Sequence, residues 1–268
     1  MLKESDVLMA YGRARSTFDT LIAVGRPPVG AFVMSTDAAV TGIYGAAGYD
    51  WVLIDREHGI MDNGDMRAHL MAAKAHNLVS IVRVLENNAA MIQQALDAGA
   101  NALMIPKVDS AESARRAVAA SQYQAGGRGM CPVVPATDFT GAKWDEYASD
   151  ANQNVLVIPL IETAKGVENI DEICSTDGVD YVFFGLADLS QDLGIDMLAD
   201  MDVLVRLWKS VVEAAHRHGV KAGAPLGYGF DAEADFGSLD SDLSTLRSSA
   251  ERALETFYES RAESLARG

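Results

Sequence analysis

Cysteine is nearly absent: the 268 residues hold two, Cys131 and Cys174, far apart and in no CxxC arrangement. That excludes a disulfide framework and a thiolate zinc site, and it fits a reducing compartment. Basic residues are scarce too, 22 Lys and Arg against 38 Asp and Glu, a formal net charge of −16. A protein that grips phosphate backbones needs a basic face, so nucleic acid is not an expected partner. An acidic shell serves solubility and attracts divalent cations. The opening segment, MLKESDVLMAYGRARSTFDT, carries charges throughout and lacks the apolar centre of a signal peptide. No apolar run is long enough to span a bilayer. A soluble cytoplasmic protein with no membrane partner is therefore expected. No strand pattern is followed by GxGxxG or GxxxxGK[ST], which leaves nucleotide binding without support. Low-complexity segments and composition shifts are also missing, so one domain over residues 1–268 is expected.

What is present is a regular alternation of short apolar runs and amphipathic segments. Hydrophobic residues make up 49% of the chain, enough for a full core. Helical spacing over Glu4–Val24 predicts an N-terminal helical extension within residues 1–25. Strands are predicted at Val29–Met34, Trp51–Asp55, Ser80–Val84, Ala102–Pro106, Val155–Ile161, Tyr181–Phe184 and Val220–Ala224. Helices are predicted between them, to about Gly48 and over Met61–His76, Asn88–Ala98, Ser110–Ser121, Gly166–Cys174 and Val203–Arg217. A long loop is expected over Tyr123–Ala151, and a last helix over Leu243–Leu265 within residues 243–268. Strands that are continuously apolar are buried on both faces, as in a parallel sheet covered by helices. Seven strand–helix units in a chain of this size point to an α/β fold, a (β/α)8 TIM barrel. The eighth unit is abbreviated: only LGYGFDAEADFGSLDSD separates the seventh strand from the last helix, with SLDSDL as a poor eighth strand.

In such a barrel the chemistry sits at the C-terminal strand ends. Strand two ends in Asp55, Arg56, Glu57 and His58, strand three carries Arg83, strand four ends in Lys107, strand five in Glu162, and strand six in Gly185, Leu186, Ala187 and Asp188. Glu162 and Asp188 are a donor pair for a hard divalent cation that keeps waters and leaves room for substrate oxygens. Either acid alone reads as a helix cap or a solvated charge. His58 is a candidate general base oriented by Asp55, or else a buried histidine satisfied by backbone. Arg83 could stabilise a developing enolate, or simply pair with Asp55 or Glu57. The N–H groups of GLADLS could hold a carboxylate, though the segment alone reads as a turn. His69, His76, His216 and His218 read as surface or core filler.

Together, GYDWVLIDREHG, IVRV, ALDAGANALMIPKVDSAESARRAV, GGRGM, IPLIETAKGVENIDEI and GVDYVFFGLADLSQDLG resemble the class II pyruvate-dependent aldolases of the HpcH/HpaI family, in order from about Pro28 to Gly194. The resemblance implies a TIM barrel and a homohexamer, a trimer of dimers, with the last helix exchanged between subunits. It implies Glu162 and Asp188 as ligands of a divalent metal, Mg2+ first and Mn2+ or Co2+ as alternatives. It makes His58 the acid/base residue with Asp55 behind it, and Arg83 the residue on the keto oxygen of pyruvate. The backbone at Gly185, Ala187 and Asp188 would hold the carboxylate. Glu57 would stand near the metal's waters, and Asp97 would reach a neighbouring subunit's site. The implied substrates are a 2-oxo acid and an aldehyde, joined to or released from a 4-hydroxy-2-oxo acid.

Three positions depart from the family pattern. Leu160 stands where many members have glutamine, Leu186 replaces a proline, and the segment after Leu226 is short. The same enolate chemistry would also serve oxaloacetate decarboxylation, or C–C bond formation of the macrophomate synthase kind. Further alternatives are a Schiff base at Lys107 and a non-catalytic degenerate barrel.

Overall fold

In a computed structural model, which describes residues 13–267, eight parallel strands close into a barrel in sequence order, β1 to β8. They are β1 Val29–Val33, β2 Trp51–Asp55, β3 Val79–Arg83, β4 Ala102–Ile105, β5 Leu156–Ile161, β6 Tyr181–Phe184, β7 Lys221–Pro225 and β8 Phe236–Ser241. Helices follow as α1 Arg13–Ala23, α2 Ala39–Ala47, α3 Asn63–Ala75, α4 Ala89–Asp97, α5 Ala111–Ser121, α6 Trp144–Asn154, α7 Ala164–Glu168, α8 Ile170–Cys174, α9 Leu186–Leu193, α10 Met201–Arg217 and α11 Asp242–Arg267. The part of the expected N-terminal helix within residues 1–12 lies outside the described residues. No helix among the described residues is long and apolar enough to cross a membrane.

Strand parity sorts the core into two layers, because side chains alternate across a sheet. Val52, Ile54, Val82, Leu103, Val182 and Phe184 face the helices. Trp51, Leu53, Val79, Ile81, Ala102, Met104, Ile158, Leu160, Tyr181, Phe183 and Phe236 fill the barrel interior. Helix α1 closes the N-terminal end of the barrel. Phe18 is fully buried there, with its ring 5.5 Å from Phe236 and 5.8 Å from Tyr181. The same parity carries Asp55, Arg83 and Glu162 inward at the opposite end, each two residues beyond an inward apolar residue.

Three expectations need correction. The segment Tyr123–Ala151 is not all loop: α6 begins at Trp144, whose ring packs edge-on to Tyr123 at 5.0 Å. Its sequence buries only Tyr147 and Ala151, and its N-cap, Lys143, provides no side-chain cap, so neither periodicity nor capping marks it. The expected helix Gly166–Cys174 is two short helices that meet at Asn169, whose side chain donates to the Asp109 carbonyl at 2.8 Å. The shortening near the end of the barrel falls in the connection from β7 to β8, which has turns and no helix. Strand β8 itself is six residues long and pairs with both β7 and β1.

Candidate active site

A cavity of about 540 Å³ opens at the C-terminal end of the barrel. Asp55, His58, Arg83, Leu160, Glu162 and Asp188 contribute to its wall. Its centre is a buried ion pair: Arg83 donates from Nε to Asp55 Oδ1 at 2.9 Å and from Nη2 to Asp55 Oδ2 at 2.6 Å. Burial alone would favour neutral arginine, but the bonds and charges of Asp55 and Glu57 outweigh it and hold the guanidinium protonated. Nη1 is left beside Glu57 Oε2, at 3.2 Å but out of hydrogen-bond alignment.

The chain turns sharply after β2. Asp55 Oδ1 also accepts the backbone N–H of Glu57 at 3.0 Å and of His58 at 3.3 Å, an Asx-type turn. Gly59 completes it, since a Cβ there would meet the Asp55 carbonyl oxygen at 2.2 Å. Asp55 thus positions His58 through its main chain. The expected contact of Asp55 with the imidazole is not made, because both carboxylate oxygens are spent on Arg83 and the turn. The imidazole instead stands over the mouth, Nε2 3.8 Å from Asp188 Oδ2 and 3.9 Å from Glu57 Oε2.

Glu162 is buried at the end of β5. Its Oε1 accepts the Lys107 backbone N–H at 2.8 Å, and Lys107 adopts φ +53 to present that donor. Its Oε2 is buried with no hydrogen-bond partner. Burial pushes the carboxyl up to about 7; the Lys107 N–H works against this, and the charges of Glu57 and Asp188 add to it. Burial also raises Glu57, opposed by Arg83. Gly185 lets the β6 backbone approach, since a Cβ there would lie 2.5 Å from Glu162 Cβ. Among the described residues no three His, Cys, Asp or Glu side chains converge on a metal position. Two carboxylates plus water and substrate oxygens meet the needs of Mg2+ without a third. The orphaned oxygen, the neighbouring acids and the all-oxygen donor set of Glu162 and Asp188 fit a hard divalent cation.

Helix α9 starts at Leu186 after Gly185, with no side-chain cap. The first-turn N–H groups of Ala187 and Asp188 therefore border the cavity as anion donors. Leu160 is buried and lies against Gly185. The Lys107 side chain is two-thirds exposed and 3.9 Å from Glu57 Oε1. It is absent from the cavity wall, which removes the desolvation a Schiff-base lysine needs. Asp97 lies outside the barrel mouth at the end of α4, bonded to Arg128, whose Nε is 3.1 Å away and whose guanidinium stacks on Tyr123 at 4.4 Å. His69 is buried between Thr41 Oγ1 at 2.8 Å and the Ser35 carbonyl at 2.9 Å, a core histidine.

Sequence reasoning missed the outer wall, formed by Met34, Gln191, Met197, Tyr228, Asp240 and Ser241. One available signal was the pair Gly227 and Gly229, both at positive φ, which presents Tyr228 at a tight turn.

The profile of the HpcH/HpaI aldolase/citrate lyase family matches residues 29–236. A hydroxypyruvate/pyruvate aldolase of Paraburkholderia phytofirmans is 38% identical over 198 residues, 71% of this chain and 75% of the relative. A 2-keto-3-deoxy-L-rhamnonate aldolase of Salmonella gallinarum is 35% identical over 203 residues, 74% of each. The crystal structure of an HpcH/HpaI aldolase/citrate lyase family protein from Burkholderia cenocepacia superposes with a TM-score of 0.83 at 31% identity, covering 91% of this chain and 99% of the other. Macrophomate synthase superposes with a TM-score of 0.82 at 26% identity, covering 93% and 90%.

Proposed function

The chain belongs to the HpcH/HpaI aldolase/citrate lyase family, and from that premise we propose that it is a divalent-metal-dependent aldolase, forming the enolate of pyruvate and making or cleaving the C–C bond of a 4-hydroxy-2-oxo acid, with an aldehyde as the second substrate. The observation that carries this reading is Glu162, a buried carboxylate with one orphaned oxygen, beside Asp188 and an Arg83 already fixed by Asp55.

Glu162 and Asp188 would hold the cation, Mg2+ first and Mn2+ or Co2+ as alternatives, and the bound ion would supply Lewis-acid polarisation of the keto group. The N–H groups of Ala187 and Asp188 bind the oxo-acid carboxylate. Arg83 turns Nη1 toward the oxygen that gains charge in the enolate. Its Nε and Nη2 are held by Asp55, so the guanidinium needs no reorganisation during reaction. In cleavage, His58 takes the C4 hydroxyl proton, the C3–C4 bond breaks, the aldehyde leaves, and C3 of the enolate takes up a proton. In condensation, His58 returns a proton to the aldehyde oxygen.

The test is condensation of pyruvate with a panel of aldehydes, with and without EDTA, alongside calorimetric titration of Mn2+ into wild type and Glu162→Ala. Loss of turnover in EDTA and loss of Mn2+ binding in the variant are expected. Turnover that survives EDTA and is trapped by borohydride would replace the metal reading with Lys107. A second reading keeps the enolate and replaces the aldol step with oxaloacetate decarboxylation or a macrophomate-synthase-like condensation. Apolar Leu160, which offers an aldehyde hydroxyl no hydrogen bond, favours it; oxaloacetate turnover without aldol product would select it.

We propose in addition that the chain is a homohexamer in which α11 is exchanged between subunits, with Asp97 reaching a neighbouring site on assembly. The exposed apolar residues of α11 support this.

A further inference from the structure

Among the described residues, five that are not glycine have positive φ: Asn77, Lys107, Asp138, Phe139 and Asp240. Two of these flank the barrel mouth. Lys107 is accounted for, because its conformation delivers the N–H that Glu162 accepts. Asp240, at φ +40, has no such account. Its carboxylate accepts only the N–H of the next residue, Ser241, at 2.7 Å, and no ion pair to it forms among the described residues. Glycine would adopt this conformation without strain, so a side chain kept there points to a use for that side chain.

The strand sets its direction. In β8, Phe236 faces the barrel interior and Ser238 follows it inward at a two-residue step, and Asp240 contributes to the cavity wall beyond them. The pairing of β8 with β1 slips between Gly30↔Ser238 and Phe32↔Ser241. One extra residue of β8 is accommodated there, and Asp240 sits in that bulge on the cavity wall, exposed to its solvent. Bulges re-aim side chains next to sites. Tyr228 and Gln191 complete the polar part of this wall, and Met34 and Met197 its apolar part.

Charge gives the chemistry. Asp55 is neutralised by Arg83, and Glu162 with Asp188 is matched to a divalent cation. Asp240 remains as a carboxylate of the cavity wall with no cation counterpart among the described residues. An uncompensated carboxylate accepts hydrogen bonds from hydroxyl groups and repels another carboxylate.

Resting on the pyruvate–aldehyde reading above, we propose that Asp240 is a specificity-determining residue that selects neutral, hydroxylated aldehydes and rejects aldehydes carrying a carboxylate. Selection works in both directions: a favourable bond for one class and like-charge repulsion against the other.

The test compares kcat/KM for D-glyceraldehyde, propionaldehyde and succinic semialdehyde, each with pyruvate, in wild type, Asp240→Asn and Asp240→Gly. Both replacements tolerate positive φ, so folding is preserved. Wild type is expected to favour glyceraldehyde over both others. Asp240→Asn is expected to raise the ratio of succinic semialdehyde to propionaldehyde about tenfold, mainly through KM, as loss of a like charge predicts. Asp240→Gly is expected to lower the ratio of glyceraldehyde to propionaldehyde by a similar factor of about ten, through loss of the acceptor. Exchange of the pyruvate methyl protons with D2O in wild type reports enolate formation separately. No exchange and no condensation would remove the aldolase reading and this proposal with it. Normal exchange and condensation with both ratios unchanged in the variants would overturn the role of Asp240 alone.

Discussion

Arg83 and Asp55 form a two-pronged buried pair, Nε to Oδ1 at 2.9 Å and Nη2 to Oδ2 at 2.6 Å, and the same Oδ1 anchors the backbone that carries His58. One carboxylate therefore sets the position of the candidate enolate stabiliser and of the candidate proton carrier. Removing it leaves a buried guanidinium without its partner and a turn without its acceptor. Asp55→Ala is expected to lower unfolding free energy by about 3 kcal/mol, the usual cost of orphaning a buried charge. It should also lower kcat/KM by roughly 100-fold or more, because both groups drift. Arg83→Lys keeps the charge but has no planar fork, so it should lose activity with a smaller loss of stability. Urea unfolding together with steady-state kinetics checks both.

On the proposed metal-dependent reading, Glu162 would link metal binding to pH. Its carboxyl is raised to about 7 from an ordinary 4.5, first by burial and then by its acidic neighbours. The fold therefore prefers the protonated form. The stability tied to this group is fully present below the unfolded value and is lost as pH rises through the folded one. Metal-free protein should lose on the order of 1–3 kcal/mol from this group between pH 5 and pH 8. Glu162→Gln should flatten that slope. Mn2+ added at pH 8 should restore the wild type and leave the variant unmoved, because the cation binds the ionised form. Thermal denaturation at the two pH values, with and without Mn2+, reads this; parallel slopes in both proteins would remove Glu162 as the source.

Gly185 tests the packing behind the carboxylate. A methyl group at this position would lie 2.5 Å from Glu162 Cβ and 3.1 Å from Oε2. Glu162 lies at the end of a buried strand and cannot swing away freely. Gly185→Ala should cost about 1–3 kcal/mol of stability by overpacking. It should weaken Mn2+ binding by about 10- to 100-fold by displacing a ligand. Calorimetric titration of Mn2+ into the variant measures this; unchanged affinity would mean that Glu162 is not a ligand.

The barrel was legible because its interior strands are continuous apolar runs. WVLID and YVFF match their observed strands residue for residue, since each is buried on both faces and begins and ends where its apolar run meets polar or glycine residues. The inward acids and Arg83 were legible for a related reason: an ionisable group at a strand end stands out against an apolar run. Asp55's role was not, because sequence cannot tell whether a carboxylate will orient an imidazole or be spent on an arginine one strand away. Helix α6 escaped because its buried side is only Tyr147 and Ala151, and its stability comes from aromatic packing with Tyr123. Asp240 escaped because its significance is conformational: a positive φ in a bulge has no signature in the letters SLDSD.

Helix α11 carries the prediction about assembly. It runs for 26 residues, and every residue from Leu243 to Arg267 is exposed. Its apolar side includes Leu246 at 68%, Leu254 at 58% and Phe257 at 56% exposure. A helix with such a stripe and nothing against it gains no packing energy to offset its ordering. Asp242 fixes only its base: the carboxylate accepts the Met34 and Ser35 N–H groups at 3.0 and 2.9 Å, tying the helix start to the loop that carries Met34 to the cavity. If neighbouring subunits cover the stripe, Leu246→Asp combined with Phe257→Asp should shift the protein to a smaller species in light scattering. The same change should lower helical content in circular dichroism, as the uncovered helix frays while the barrel persists. Mass and helicity identical to wild type would mean that this face is not a subunit contact.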